Sequence, residues 1–259
     1  MCLIAIAWQA RRDLPLAVAA NRDEWRERPA KPAHWWPERP DLLAGRDLQA
    51  GGTWMGATRG GRFAAVTNFR DPSDKRSTAR SRGMLVTEFL VGRDSPARFL
   101  SNLSARAADY NGFNLIVGDR SSLFYFGSRE GQPRAIEPGV HAISNHLLDE
   151  PWPKVVAARL AIEQALSDPD PMATLFGMLS DATVPGDEDL PSTGVGLDWE
   201  RRLGSALITG ADYGTRASTV LAITGHGEAM FEERTRAADG KVTNTVREAF
   251  TIEAVTAPG

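Results

Sequence analysis

The sequence predicts an α+β fold in which antiparallel sheets are covered by helices, and three observations carry that prediction. Apolar runs come in pairs separated by short polar turns, as hairpin strands do. Helical patterns fall in two blocks between groups of strands, the order of α+β proteins and not of an alternating parallel sheet. No segment repeats and no low-complexity stretch divides the chain, so residues 1–259 read as one domain, long enough to bury a sizeable core.

Residues 3–8 form a continuous apolar run that predicts a buried strand, and residues 16–20 its partner across a polar turn over 9–15. The second strand runs straight into Asn21-Arg22-Asp23-Glu24, and closure of the hairpin delivers that cluster beside the start of the first strand. Residues 25–40 contain Pro29, Pro32, Pro37 and Pro40, which predicts a loop because proline has no N–H for a ladder. His34-Trp35-Trp36 within it either line a pocket or cover apolar surface. A hairpin is expected over 53–58 and 62–68, turning at Gly60-Gly61 and ending at Asn68. Residues 69–82 read as a loop with Arg70, Lys75, Arg76, Arg80 and Arg82 against Asp71 and Asp74, the one local basic patch. Ser81 is the expected N-cap of a helix over 84–91, and a second helix spans 95–108.

Strands resume over 113–118, 123–127 and 139–144, the last ending at Asn145-His146. Pro153 opens a helix over 154–166, and 171–179 is also helical. An exposed loop is expected over 184–193 and a short helical piece over 199–203. Residues 206–209 and 218–224 are strand-like around a polar turn at 210–216. A last hairpin turns at Gly225-His226-Gly227, and the chain beyond Val242 adds one edge strand and then frays.

Composition narrows the function classes. Thirty Lys and Arg against 33 Asp and Glu give a net charge of -3, with no general attraction to nucleic acid or anionic membrane. The basic loop lacks the aromatic interleaving of a nucleic-acid reader. One cysteine excludes an intrachain disulfide and a cysteine-based zinc site. No stretch approaches the ~20 apolar residues of a membrane span, and no secretory signal is readable. The expected compartment is a reducing cytoplasm, where a lone thiol stays free.

That cysteine, Cys2, follows Met1 directly. Removal of Met1 would leave a thiol and an α-amino group on one residue, a nucleophile with its own base, since an α-amino group titrates near ~7.7–8.0. The competing reading is a buried structural thiol. Polar residues at the ends of apolar strands, namely Asp23, Asn68, Asn145 and Arg216, complete the set.

With Asn21-Arg22-Asp23-Glu24, Gly51-Gly52-Thr53-Trp54-Met55-Gly56, Thr67-Asn68-Phe69-Arg70, Ser81-Arg82-Gly83, Pro151-Trp152-Pro153-Lys154 and Tyr213-Gly214-Thr215-Arg216-Ala217-Ser218-Thr219, the chain resembles the NRDE family, also called the transport and Golgi organisation family. The resemblance implies a four-layer αββα sandwich of two antiparallel sheets, like the N-terminal nucleophile (Ntn) hydrolases of the choloylglycine hydrolase and penicillin V acylase type. It implies catalytic roles for Cys2, Asp23, Asn68, Asn145 and Arg216. Asn21, Arg22 and Arg70 would contact a small amphipathic amide or acyl substrate, with no metal or cofactor required. It departs from those acylases at one point: their Arg-Asn-x-Asp is here Ala20-Asn21-Arg22-Asp23. Arg22, one residue before the aspartate, is expected on the other face of its strand, which would leave the thiol without that cation. The alternative function is non-catalytic binding or trafficking of a lipid, acyl-CoA or haem, for which His34, His141, His146 and His226 are the available histidines.

Overall fold

The computed structural model describes residues 2–74, 76–168 and 170–253. Its first hairpin, β1 (Cys2–Arg11) and β2 (Leu14–Trp25), turns tightly at Arg12-Asp13. Side chains alternate across a strand. Ile4, Ile6 and Trp8 therefore enter a core between two sheets, while Leu3, Ala5 and Ala7 pack against helices on the other face. Both faces are buried, which is why the run reads as continuously apolar. The hairpin is extended on one side by β10 (Gly139–Ile143) and on the other by β11 (Tyr213–Ile223), β12 (Glu228–Arg236) and β13 (Val242–Thr251). The result is a six-stranded antiparallel sheet ordered β10-β1-β2-β11-β12-β13.

The second sheet is a seven-stranded meander in chain order. It comprises β3 (Ala30–Trp36), β4 (Arg39–Asp47), β5 (Met55–Thr58), β6 (Phe63–Asn68), β7 (Phe113–Gly118), β8 (Leu123–Gly127) and β9 (Arg134–Ala135). Leu43, Met55, Phe63, Tyr125 and Phe231 fill the space between the sheets. Helices α1 (Gly83–Val91) and α2 (Pro96–Ser104) cover the outer face of the seven-stranded sheet through Leu85, Phe89, Phe99 and Leu100. Helices α3 (Pro153–Ala165) and α4 (Pro171–Met178) cover the other sheet through Val155, Ile162, Leu175 and Phe176. The layers are thus αββα, as the resemblance implies. Among the described residues no helix is long and apolar enough to cross a membrane.

Several local expectations are corrected. Residues 25–40 are largely strand. β3 is an edge strand whose register breaks between Lys31 and His34, around Pro32, so the missing N–H breaks no central ladder. Pro29 and Pro37 lie just outside the strands, and Pro40 precedes the pairing of β4 with β5. Ser81 does not cap α1; the N-cap residue is Arg82, without a side-chain bond, whereas Ser95 caps α2 through the Arg98 N–H at 3.3 Å. Residues 206–209 are not a strand, because the Ile208 N–H donates to the Thr215 hydroxyl at 2.9 Å instead of to a ladder. β11 accordingly starts at Tyr213, inside the expected turn. The expected fraying after β13 falls mostly on residues 254–259, outside the described residues.

Two glycine substitutions test the packing. A Cβ on Gly52 would stand 2.7 Å from the Gly83 carbonyl carbon and oxygen, both backbone, so Gly52→Ala is expected to destabilise by at least about 1–3 kcal/mol. Gly177, exposed in α4 with nothing within 4 Å of an added Cβ, should gain roughly 0.5–1 kcal/mol as Gly177→Ala. Urea melts of the two variants against wild type measure both.

Candidate active site

At the end of the sandwich where the inter-sheet core stops, a cavity of about 890 Å³ opens, lined among others by Cys2, Arg22, Asp23, Asn68, Arg82 and Arg216. Cys2 shares its face of β1 with Ile4 and Ile6, so alternation points its side chain between the sheets, and it is 7% exposed. Directly opposite it in the ladder stands Arg22. Burial pushes the Cys2 thiol above its ordinary pKa, and the charge of Asp23 adds to that. The Arg22 guanidinium and the Asp23 main-chain N–H pull the other way. The resting sulfur is therefore a thiol that needs a base.

β2 continues past Arg22 to Asp23, which puts this residue on the side of the Cys2 nitrogen. Thr215 Oγ1 donates to Asp23 Oδ1 at 2.7 Å, from a point where β11 bulges between Thr215 and Ala217. Burial raises the Asp23 pKa, opposed by the charges of Lys154 and Arg22 and by the Thr215 bond. Lys154, in the first turn of α3, is buried and donates from Nζ to the Leu203 carbonyl at 2.8 Å. Burial first, and then repulsion from Arg70, brings its pKa down to about 8, against the pull of Asp23, Cys2 and Glu200. Arg70 in turn forms a buried ion pair with Glu200 of α5 (Leu197–Arg202) and stacks over Trp152 at 4.6 Å.

A second set of bonds closes the two sheets over the site. The Ser144 hydroxyl lies 3.1 Å from both the Cys2 carbonyl and Asn145 Oδ1. Asn145 Nδ2 donates to Asn68 Oδ1 at 3.0 Å and to the Asn68 carbonyl at 3.1 Å. Thr67 Oγ1 donates to the Ser144 carbonyl at 2.7 Å. The end of β10 is thereby clipped to the end of β6, and Asn68 presents its amide on the cavity wall. Among the described residues its Nδ2 makes one long contact, 3.5 Å to the Phe69 carbonyl. Arg216 is held by three carbonyls, those of Trp25, Arg26 and Arg28, at 2.8–3.2 Å.

Of the residues expected at the site, Cys2, Asp23, Asn68, Arg216 and Arg22 are brought together. Arg22 corrects the expectation drawn from the missing arginine. It is the cross-strand partner of Cys2 and shares its cavity, so the thiol does have a cation beside it. Asn145 stands behind the wall and supports Asn68. Asn21, expected on the substrate, lies on the opposite face, where its Nδ2 donates to the Leu179 and Ala206 carbonyls at 2.9 and 2.8 Å. Arg70, also expected there, is buried with Glu200 instead. Lys75 of the basic loop and Met1, whose removal the chemistry requires, lie outside the described residues. None of the four histidines lines the cavity; His141 pairs with Asp149, and His146 packs between Phe69 and Trp152. Sequence reasoning gave no site role to Lys154 or Glu233, and it named Arg82 only as part of the basic loop and of a family motif. The available signals were a lysine opening an otherwise apolar helix face and the Ser-Arg-Gly before α1.

The fold and the site together define an αββα sandwich of two antiparallel sheets with a buried thiol at the start of its first strand, on a cavity that also holds a carboxylate, an asparagine amide and guanidiniums. The family model described as Transport and Golgi organisation 2 matches residues 1–238, and the chain belongs to that family. Among its relatives, the cattle Transport and Golgi organization protein 2 homolog is 34% identical, aligned over 90% of this chain and 92% of its own. The human homolog is 32% identical over the same shares. Solved structures of similar fold include a Caenorhabditis elegans N-acylethanolamine-hydrolyzing acid amidase ortholog, 11% identical over 85% of this chain and 92% of that one, with a TM-score of 0.45. Another is a mutant conjugated bile acid hydrolase from Clostridium perfringens, 9% identical over 97% and 92%, with a TM-score of 0.43.

The electrostatics of Cys2 are measurable. Its alkylation by iodoacetamide should rise with pH to a midpoint above the ~8.5 of a free thiol. Arg22→Gln removes a cation that favours the thiolate, so the midpoint moves further up. A shift of about one pH unit, the low end for a neighbouring charge, lowers the rate near pH 8 about tenfold.

Proposed function

We propose that this protein is a cysteine amidohydrolase of the Ntn type, which cleaves a small amphipathic amide by acyl transfer once Met1 has been removed. The observation that carries the reading is the convergence of Cys2, Asp23, Arg22 and Asn68 on one cavity wall. Met1 removal exposes the Cys2 α-amino group beside Asp23, whose carboxylate holds its ammonium form. The neutral amine takes the thiol proton, and the sulfur attacks the substrate carbonyl. Asn68 Nδ2, turned outward by Asn145, donates to the oxyanion. Collapse of the tetrahedral intermediate breaks the C–N bond, and the α-ammonium returns its proton to the leaving amine. The same amine then activates a water that hydrolyses the thioester. Arg22 and Arg216 stabilise negative charge on sulfur through the cycle. A reducing cytoplasm would keep that single thiol free.

The near-complete burial of Cys2 favours a second reading, in which the same cavity holds a lipid or acyl-CoA without turnover. Haem is less well served, because no histidine reaches the wall.

Intact mass spectrometry after reaction with an activated acyl ester separates these readings. The first expects loss of the Met1 mass and one hydroxylamine-labile acyl group on Cys2, absent from Cys2→Ala. Asn68→Ala should slow acylation by roughly 10²–10³, the usual cost of one oxyanion donor. A retained Met1 with no acyl adduct rules the hydrolase out.

A further inference from the structure

The cavity wall carries an excess of basic groups. Seven basic side chains line it against four carboxylates, whereas the chain as a whole is net negative. Most of the basic groups are internally matched. Arg28 pairs with Asp47 at 2.6 Å, Arg22 with Glu24 at 3.5 Å, Arg46 with Glu38 and Arg80 with Glu88. Arg82 and Arg216, both partly buried, have no ion pair with a carboxylate among the described residues. Arg216 donates to three main-chain carbonyls. Arg82 spends Nη1 on the Gly112 carbonyl at 3.0 Å, and Nε and Nη2 are unengaged among the described residues. The charge that most favours its ionised form is that of Cys2. A partly buried guanidinium with donors to spare on a cavity wall can pair with an anion that enters the cavity. Of the four carboxylates, Glu233 is held toward its neutral form by burial, despite the Ala33 N–H at 2.7 Å and the charge of Arg22.

Another part of the wall is aromatic. Trp25, Trp199 and Tyr213 form a mutual edge-to-face cluster with centroids 5.3–6.1 Å apart. Trp25 remains 44% exposed, which leaves apolar surface open at the site. Arg202 stacks behind this cluster on Trp199 and Tyr213, and the Arg70–Glu200 pair fixes the helix that carries Trp199. The cluster belongs to the ends of β2 and β11 and to α5. Arg82 belongs to the start of α1, over the other sheet.

We infer that the substrate is an amphipathic anion, whose apolar portion rests on Trp25, Trp199 and Tyr213 and whose carboxylate or phosphate is held by Arg82. This rests on the reading of the cavity as the substrate site, and it specifies the class of molecule that enters. Arg82 also lies in the field of Cys2, so its part in holding the anion is read from binding to the Cys2→Ala protein and not from turnover.

Binding to the Cys2→Ala protein, which cannot turn over, tests this separately from hydrolysis. The probes are N-dodecanoylglycine, dodecyl phosphate and the neutral N-dodecanoylethanolamine, titrated calorimetrically at low salt. At least one anion should bind about tenfold or more tighter than the neutral amide, as a charge-assisted bond allows. Whichever of the two binds tighter identifies the anionic group. Arg82→Gln on the same background should erase that preference with the neutral amide bound as before, Arg82→Lys should keep part of it, and Trp25→Ala should weaken all three probes. Equal binding of the anions and the neutral amide overturns the inference before any Arg82 variant is made. Equal loss for all three probes in both Arg82→Gln and Arg82→Lys overturns it as well.

Discussion

The placement of Arg22 opposite Cys2 in the first antiparallel ladder is the constraint on which the rest of the site depends. It is set at the far end of the hairpin. Arg11 pairs with Leu14 but Trp8 pairs with Leu16, so β1 carries one extra residue at a bulge where Gln9 adopts a positive φ of 48°. Without the bulge, the ladder closed at Arg11 and Leu14 would bring Asp23 opposite Cys2. With it, the sulfur faces a cation and the strand nitrogen lies toward the carboxylate. A one-residue slip would exchange these groups and turn every apolar side chain of β1 to the wrong layer, so burial of both faces holds the register.

Behind that ladder the molecule keeps an expensive set of buried charges. Asp23, Lys154, Arg70 and Glu200 are all at most 6% exposed and connect the strand end to α3, α5 and the segment after β6. Buried ion pairs are poor sources of net stability, yet removing one partner typically costs about 3–5 kcal/mol because the other is left uncompensated. Their effect here is positional. Lys154 opposes the rise that burial imposes on Asp23, and the Arg70–Glu200 pair fixes the helix that brings Trp199 to the cavity. Ser144, Asn145 and Thr67 do the equivalent work between the sheets with neutral hydrogen bonds.

Much of this was legible in the sequence because period-two alternation and polar strand ends are local signals. The hairpin of β1 and β2, the two helical blocks, Cys2, Asp23 and Asn68 all follow from them. What was not legible depended on register and on edges. The face of Arg22 hinged on a bulge thirteen residues away in the chain, hidden inside what reads as a polar turn. β3 was masked by a proline that an edge strand tolerates, and the start of β4 by Pro40, which precedes its pairing with β5. Arg70 sits in a basic run that reads as a solvated loop, and only the fold shows it reaching Glu200, 130 residues on. Arg82 needed the charge inventory of the assembled cavity, which no short window contains. The family resemblance supplied roles for the polar set, and the geometry reassigned four of them: Arg22 to the face of the sulfur, Asn145 to the support of Asn68, and Asn21 and Arg70 to the interior.

The most direct test of the account is a high-resolution crystal structure of the purified, natively processed protein. The expected result is a chain beginning at Cys2, its α-nitrogen within ~2.7–3.2 Å of an Asp23 carboxylate oxygen and its sulfur facing Arg22 across the open cavity. A chain that still begins at Met1, with the Cys2 nitrogen locked in a peptide bond, would contradict it.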